Sequence, residues 1–435
     1  MDVAVLGGGE SGIGAALLAV KNNYDVFLSD IGSIDEKRKL ELRDYKVDFE
    51  EGQHSFDKLK NADVVIKSPG IPGQLELIVQ LRALGIEVIS EIEWAFRHTD
   101  ASIAAITGSN GKTTTTKLLH HMAQNAGLDA VCVGNIGFSA SRQLAIREPR
   151  WMILEVSSFQ LDDIRRFKPE IAIILNISPD HLDRYDDFMD YARAKWRICE
   201  NQTSEDHLIF VAEKIFERLC HERPPRSEVV SINPENCTPG KANWAGSIIL
   251  YDNKHLLGPH NACNVECAAE AARLMGIQRV DVKRSLDDFV NDPHRMEEVA
   301  FWNDIRIIND SKATNVEAAI KALESFDAPI IWIAGGTDKG NDYTDLLPLA
   351  REKVMALVAM GADNSKLLKT FANEIETVAD CHSVEEAVKV AFRLAEKGTT
   401  ILLSPACASF DLFNNYEERG LLFKQEILKY ITPIG

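Results

Sequence analysis

The chain has no long apolar run. No hydrophobic stretch reaches the roughly 20 residues that cross a bilayer, and the first strand-like run opens at Asp2, where a secretory leader would still be unfinished. A membrane span and an export signal are not expected, and a cytoplasmic location follows by default. A basic stripe is missing too. Lys and Arg number 48 against 66 Asp and Glu, for a formal net charge of −18, so no surface is expected that would release counterions from a nucleic acid. Anionic ligands would need local cations. The eight cysteines lack paired-motif spacing, and the nearest two, Cys263 and Cys267, suggest reduced, mostly buried thiols over a zinc site. Internal repeats and low-complexity tracts are absent as well.

What remains is an ordinary globular composition, 45% hydrophobic and 26% charged over 435 residues, which predicts about two to four domains. Strand and helix patterns alternate throughout. The first part shows strands at Val3–Leu6, Asp25–Leu28, Asp63–Ile66 and Glu87–Ile89, with a helical stretch at Ala15–Lys21. The middle part shows strands at Ile103–Ile106, Trp151–Glu155 and Ile171–Leu175, and helical stretches to about Ala126, over Asp187–Glu200 and over Ala262–Met275. The last part shows strands at Ile305–Ile308, Ile330–Ala334, Met355–Ala359 and Ile401–Leu403, separated by helices. Continuous apolar strands suit parallel sheets covered on both faces. The fold class is α/β, with three consecutive α/β domains over residues 1–94, 95–292 and 293–435.

Two glycine-rich turns carry the chemistry. After Val3–Leu6, the glycines Gly7, Gly9 and Gly12 fit a dinucleotide fingerprint, and Asp30 stands where an acidic ribose reader is expected. Alone this predicts an NAD-dependent dehydrogenase. The second turn argues otherwise. Residues 107–116 read Thr-Gly-Ser-Asn-Gly-Lys-Thr-Thr-Thr-Thr, after an apolar strand and before a helix. Backbone N–H groups of such a turn converge on phosphate oxygens, aided by the helix N-terminus. Lys112 can reach the terminal phosphates and Thr113 can hold Mg²⁺. The spacing departs from the common P-loop, since only Ser109 and Asn110 separate Gly108 from Gly111. A dehydrogenase has no use for this loop. The first turn is therefore read as a pyrophosphate or uridine-sugar site in preference to NAD, with Ser68–Pro72 as a second wall or a plain turn.

Further residues suit Mg·ATP chemistry. Glu155 ends a strand beside the loop, where a carboxylate can meet Mg²⁺. Asn135 sits in a glycine-framed turn. His181 follows the next strand among Asp180, Asp183 and Arg184, and Lys195 lies on a helical stretch. Three of them have a plainer alternative: Glu155 as a helix-start acid, His181 as a structural histidine, Lys195 as a solvated lysine.

Thr107–Thr115, Glu155–Gln160, Asn176–Arg184, Ala192–Ile198, His260–Asn264, His294-Arg295, Asn309–Asn315 and Gly335–Gly340 occur in order through all three domains. Together they resemble the Mur ligases, which add amino acids to the UDP-N-acetylmuramoyl precursor of peptidoglycan. Ser404–Gly420 is most similar to the D-glutamate-adding members, whereas Glu10-Ser11 departs from a threonine-containing form of the first loop. The resemblance implies a Rossmann-like UDP-substrate domain, a P-loop ATPase-like central domain and a Rossmann-like acceptor domain. It implies an ATP-dependent ligase that phosphorylates the carboxylate of UDP-N-acetylmuramoyl-L-alanine and passes the acyl group to the amine of D-glutamate. ATP would be held by Gly108, Ser109, Asn110, Gly111, Lys112, Thr113 and Thr114, with Asn264, Arg295 and Asp310. Two Mg²⁺ would sit by Thr113, Glu155, His181 and Lys195, the lysine carrying a CO₂-derived carbamate. Catalysis would fall to Lys112, Glu155, His181 and Lys195. Glu10, Ser11, Asp30, Gly70, Asn135, Gln160 and His181 would face the UDP substrate, and Lys312, Thr314, Lys339, Ser409 and Tyr416 the D-glutamate. A monomer is expected. Another Mur enzyme, folylpolyglutamate synthase, or a non-catalytic nucleotide switch are the competing readings.

Overall fold

The computed structural model describes residues 1–180, 184–327, 329–338 and 340–431. Three α/β sheets follow one another along the chain. The first is wholly parallel, in the order Asp48–Glu51, Asp25–Asp30, Asp2–Leu6, Val64–Lys67, Glu87–Ser90. Its strand order reverses between Asp2–Leu6 and Val64–Lys67, the crevice where open α/β sheets take ligands. The two loops leaving that crevice touch, since a Cβ on Gly7 would lie 2.6 Å from Ser68 Oγ.

The second sheet is also parallel: Glu228–Ile232, His207–Val211, Ile171–Ile174, Ser102–Thr107, Trp151–Glu155, Ala130–Gly134. Ile171–Ile174 and the last five residues of Ser102–Thr107 are buried, as strands covered on both faces must be. The third sheet runs Glu297–Trp302, Ile305–Asn309, Thr400–Leu403, Ile330–Ala334, Val354–Met360, Thr377–Cys381, with only the first pair antiparallel. A two-stranded hairpin, Lys241–Trp244 with Ser247–Leu250, completes the described strands.

The first helix starts earlier than its apolar pattern predicts, at Glu10. Its glycines are there for contact. A Cβ on Gly12 would lie 1.8 Å from Gly7 O, and one on Gly14 would lie 2.0 Å from Ser139 Oγ. Close approach, not flexibility, explains them. The stretch expected as one helix over Asp187–Glu200 is an α-helix, Phe188–Trp196, followed by a 3₁₀ turn, Arg197–Cys199.

The chain divides into two compact units. One comprises residues 1–236, 243–249 and 263–285 and holds both the first and second sheets. One apolar core cluster, from Val3 through Trp94 and Phe167 to Leu219, runs through both sheets. Charged side chains then fix the two sheets' helices against each other. Glu10 accepts from Ser139 N at 3.1 Å and Arg142 Nε at 2.8 Å, and Arg142 also pairs with Glu41. Glu93 Oε2 accepts the backbone N–H groups of Arg165, Arg166 and Phe167 at 2.9, 2.9 and 2.7 Å. Glu91 Oε1 accepts from Ser141 N at 2.6 Å. Lys67 and Arg82 both meet Asp163. The other unit, residues 237–242, 250–262 and 286–435, carries the third sheet. Among the described residues, no helix is long and apolar enough to cross a membrane.

Candidate active site

The strand Ser102–Thr107 ends in a turn whose shape requires glycine. Gly108 has φ 152° and Gly111 φ 83°, a region other residues enter only with strain. A Cβ on Gly111 would also lie 2.5 Å from Asn264 Oδ1. Gly111 caps the helix Lys112–Asn125, so the turn opens on a helix N-terminus. Neighbouring loops hold it in place. Ser109 N donates to Asn176 O at 3.0 Å and Asn110 N to Asn176 Oδ1 at 2.8 Å, while Asn176 Nδ2 returns a bond to Asn110 O at 3.0 Å. Ser109 Oγ donates to Ser178 O at 2.9 Å and lies 3.1 Å from Tyr191 OH. Lys112 curls over the turn, its Nζ donating to Gly108 O and Ser109 O at 2.8 and 2.9 Å. Thr114 is buried in the first helical turn.

At the same sheet edge, Glu155 closes the strand Trp151–Glu155 and is 2% exposed. Thr113 Oγ1 donates to its Oε2 at 2.7 Å and Asn135 Nδ2 to its Oε1 at 2.9 Å. Asn135 itself is exposed, its backbone N–H bonded to Glu155 O at 2.9 Å. Lys195 reaches in from the helix Phe188–Trp196, and its Nζ donates to Gly108 O at 2.8 Å. Complete burial, and next the positive charge of Lys112, hold the Lys195 pKa well below the usual lysine value, against the opposing pull of Asp180, Glu155 and Asp162. Both effects favour the neutral amine over the ammonium.

These residues fit Mg²⁺. Oxygens in adjacent positions of an octahedral Mg²⁺ shell are about 2.9 Å apart, and Thr113 Oγ1 and Glu155 Oε2 are already 2.7 Å apart. Among the described residues, no three His, Cys, Asp or Glu side chains group as a metal cage. A few protein oxygens completed by phosphate and water is the usual Mg²⁺ arrangement.

In the second unit, the predicted residues gather where strands of the third sheet end. Asp310 follows Ile305–Asn309 and is buried. It accepts from Met296 N at 3.1 Å and Ser404 Oγ at 3.2 Å, and burial pushes its pKa up to about 7. Arg295 lies beside it, between His294 and Met296, which both have positive φ. Lys312 Nζ stands 3.7 Å above the Tyr416 ring, a close cation–π contact. Thr314 N donates to Lys312 O at 2.9 Å, so the two lie in one tight turn. Ser409 is 2% exposed and its carbonyl accepts from Phe413 N at 3.0 Å.

Family models match the chain in three consecutive stretches: MurD N-terminal domain over residues 3–77, Mur ligase middle domain over 106–272, and Mur ligase, glutamate ligase domain over 294–407. The UDP-N-acetylmuramoylalanine–D-glutamate ligase of Christiangramia forsetii is 45% identical over 98% of both chains. The enzyme of the same name from Porphyromonas gingivalis is 47% identical, again over 98% of each. The chain belongs to the Mur ligase family. Solved structures agree in fold: MurF ligase from Thermotoga maritima in complex with ADP has a TM-score of 0.62 at 13% identity, covering 93% of this chain and 95% of that one. A pseudomurein peptide ligase type C from Methanothermus fervidus gives 0.58 at 19% identity, covering 99% and 100%.

Within this Mur ligase the predicted residues fall into two groups. One unit brings together Gly108 to Thr114, Glu155, Lys195, Asn135 and Asn264. Arg295, Asp310, Lys312, Thr314, Ser409 and Tyr416 lie in the other unit. His181 and Lys339 lie outside the described residues. The UDP-substrate candidates are more dispersed. Asp30 takes backbone bonds from Gly8 N and Gly32 N, and so shapes the first glycine loop. Glu10 turns to Ser139 and Arg142, and Ser11 follows it on the half-buried start of the same helix. Gly70 is exposed, and its carbonyl accepts from Arg184 Nη1 at 3.3 Å. Gln160 is buried and completes a capping box with Ser157. Sequence reasoning missed Tyr191, whose hydroxyl braces Ser109. The available signal was its spacing: Tyr191 and Lys195 are i and i+4 on one helix face.

Proposed function

We propose that this Mur ligase joins D-glutamate to UDP-N-acetylmuramoyl-L-alanine with ATP, a step of peptidoglycan precursor synthesis. Full-length identity of 45–47% to ligases named for that reaction carries the reading. The phosphate turn with Lys112, backed by the Thr113–Glu155 pair, supports its chemistry.

A carboxylate is a poor electrophile, because its charge repels nucleophiles and oxide is a bad leaving group. Phosphorylation removes both faults. A carboxylate oxygen of the substrate attacks the γ-phosphorus of ATP, and the bond to ADP breaks. The D-glutamate nitrogen then attacks the acyl carbon, a proton leaves the amine and phosphate departs. Such transfers need alignment and charge neutralisation more than covalent help from the protein. In this reading the turn Gly108–Gly111 presents N–H groups to the phosphates. Lys112 exchanges two carbonyls for phosphate oxygens, a stronger charge-assisted bond. Thr113, Glu155, His181 and Lys195 hold two Mg²⁺, which when bound neutralise charge developing on the phosphate oxygens. Lys195 in its neutral form adds to CO₂ through its nitrogen, loses a proton and becomes a carbamate anion able to serve beside Mg²⁺. Asn264, Arg295 and Asp310 take the remainder of ATP. Asn135, Gln160 and the first glycine loop with Glu10, Ser11, Asp30 and Gly70 take the UDP substrate. Lys312, Thr314, Lys339, Ser409 and Tyr416 take D-glutamate. A cytoplasmic location goes with this reading, because ATP and a UDP-linked precursor are its substrates.

The test is phosphate release from Mg·ATP with UDP-N-acetylmuramoyl-L-alanine, adding D-glutamate, L-glutamate, L-lysine or diaminopimelate in turn. Release with amide product for D-glutamate alone is the expected result. Release with another of these acceptors would reassign the amino acid. No release from folded, ATP-binding protein would overturn the ligase reading.

A further inference from the structure

One buried cation has no part in the chemistry above. Arg419, in the first turn of the helix Tyr416–Ile431, is 0% exposed. Burial holds its pKa down, to about 10. An isolated buried charge is expensive unless it is hydrogen-bonded throughout, so what it bonds is informative. Its partners are carbonyls and one hydroxyl, and they come from three different loops. Nε donates to Ser311 Oγ at 3.0 Å and Nη2 to Ser311 O at 2.8 Å. Both terminal nitrogens reach Cys407 O at 3.2 Å. Nη1 also lies 3.4 Å from Gly335 O and 3.5 Å from Ala408 O.

Those loops follow the strands Ile305–Asn309, Ile330–Ala334 and Thr400–Leu403, which lie side by side at the centre of the third sheet. In sequence, Ser311 precedes Lys312, Gly335 opens the turn that leads to Lys339, and Ala408 precedes Ser409. Each loop that bears a proposed D-glutamate residue is thus tied to one guanidinium. The remaining such residue, Tyr416, is tied by the same knot, since Ser311 Oγ donates to Tyr416 O at 2.8 Å. Two features keep the knot closed to substitution. A Cβ on Gly336 would lie 2.1 Å from Ala408 O, and one on Gly420 would lie 2.2 Å from His294 Nδ1.

We propose that Arg419 is a positioning residue for the acceptor amino acid: it sets the mutual placement of the loops after Asn309, Ala334 and Leu403 without touching substrate. This rests on the acceptor assignment made above. A planar fork with five donors can serve three loops at once; a lysine ammonium has three donors from one point and cannot.

The experiment compares wild type with Arg419→Lys and Ser311→Ala. Steady-state kinetics are measured separately for ATP, the UDP substrate and the acceptor amino acid, alongside amide hydrogen exchange of the three loops. Arg419→Lys is expected to raise the acceptor KM at least tenfold while the other two KM values stay within about threefold. Ser311→Ala removes one shared hydroxyl and is expected to raise the same KM about threefold. Exchange is expected to quicken in all three loops together. Equal shifts in all three KM values, or quickened exchange in the 311 loop alone, would overturn the proposal. Should Arg419→Lys not fold, Ser311→Ala decides by the same criteria. If the wild type uses a different acceptor, the acceptor assignment fails, and the KM comparison is run with the amino acid it does use. If it turns over none, the joint exchange response alone decides the clamp.

Discussion

Glu91 offers a quantitative test of how the first two sheets are joined. It starts the helix Glu91–Phe96, is 1% exposed, and accepts from Ser141 N at 2.6 Å. Its other oxygen, Oε2, is buried and meets no hydrogen-bond partner among the described residues. Burial pushes its pKa up to about 7, with the charge of Glu10 adding a smaller upward push against the two Ser141 bonds. The folded state therefore keeps a proton that the unfolded chain gives up at an ordinary carboxylate pKa. For a group raised on folding, its stabilisation is whole below the unfolded pKa, about 4.5, and is lost as pH rises through the folded value, about 7. That displacement corresponds to about 3 kcal/mol at full extent. Glu91→Gln mimics the protonated acid and does not titrate. Urea unfolding of both proteins at about pH 5 and about pH 7.5 should show the variant gaining roughly 2–3 kcal/mol on the wild type over that interval. Parallel stability curves would refute the argument, showing that Glu91 is either already ionised in the fold or solvated by motions that open the joint.

Other expectations follow from the site. Glu155→Gln removes the charge where Thr113 and Asn135 converge; kcat should fall by about a hundredfold or more, by analogy with loss of one electrostatic stabiliser, and an intact kcat would remove Glu155 from the mechanism. Lys195 should give a carbamate carbon signal by NMR in ¹³C-bicarbonate, absent from Lys195→Ala, with activity lost in that variant; an unmodified lysine together with full activity in the variant would dismiss the carbamate. Gly111→Ala places a Cβ 2.5 Å from Asn264 Oδ1 at φ 83°, a strain of about 1–2 kcal/mol before any clash. Its ATP affinity, measured by titration calorimetry, should drop at least tenfold, and unchanged affinity would mean that the turn does not hold the phosphates.

Much of this protein was legible in its residues, for identifiable reasons. Inner strands such as Ile171–Ile174 and Ile330–Ala334 are buried throughout, so their apolar runs announce them. Edge strands other than Glu87–Ser90 do not. Asp48–Glu51, Ala130–Gly134, Glu228–Ile232, Glu297–Trp302 and Thr377–Cys381 all lie at sheet edges, where half-exposed faces dilute the pattern. His207–Val211 went unread despite its buried core, because a short apolar run alone does not separate strand from helix.

The glycine turn, Lys112, Thr113, Glu155 and Lys195 could be nominated from sequence because phosphate chemistry demands those residue types beside strand ends. The alternation of strand and helix patterns along the chain likewise pointed to three consecutive α/β domains. Only the tertiary structure decided what each side chain actually meets. Glu10 and Gln160, nominated for substrate, are engaged in a helix–helix joint and a capping box. Arg419, part of the Ser404–Gly420 motif but given no role from sequence, proved to bond three acceptor loops at once. The reason is physical. Local sequence fixes backbone conformation and residue chemistry, whereas burial, pKa and hydrogen-bond partners depend on segments far apart in the chain, such as Ser311 and Arg419, brought together only when the sheet assembles.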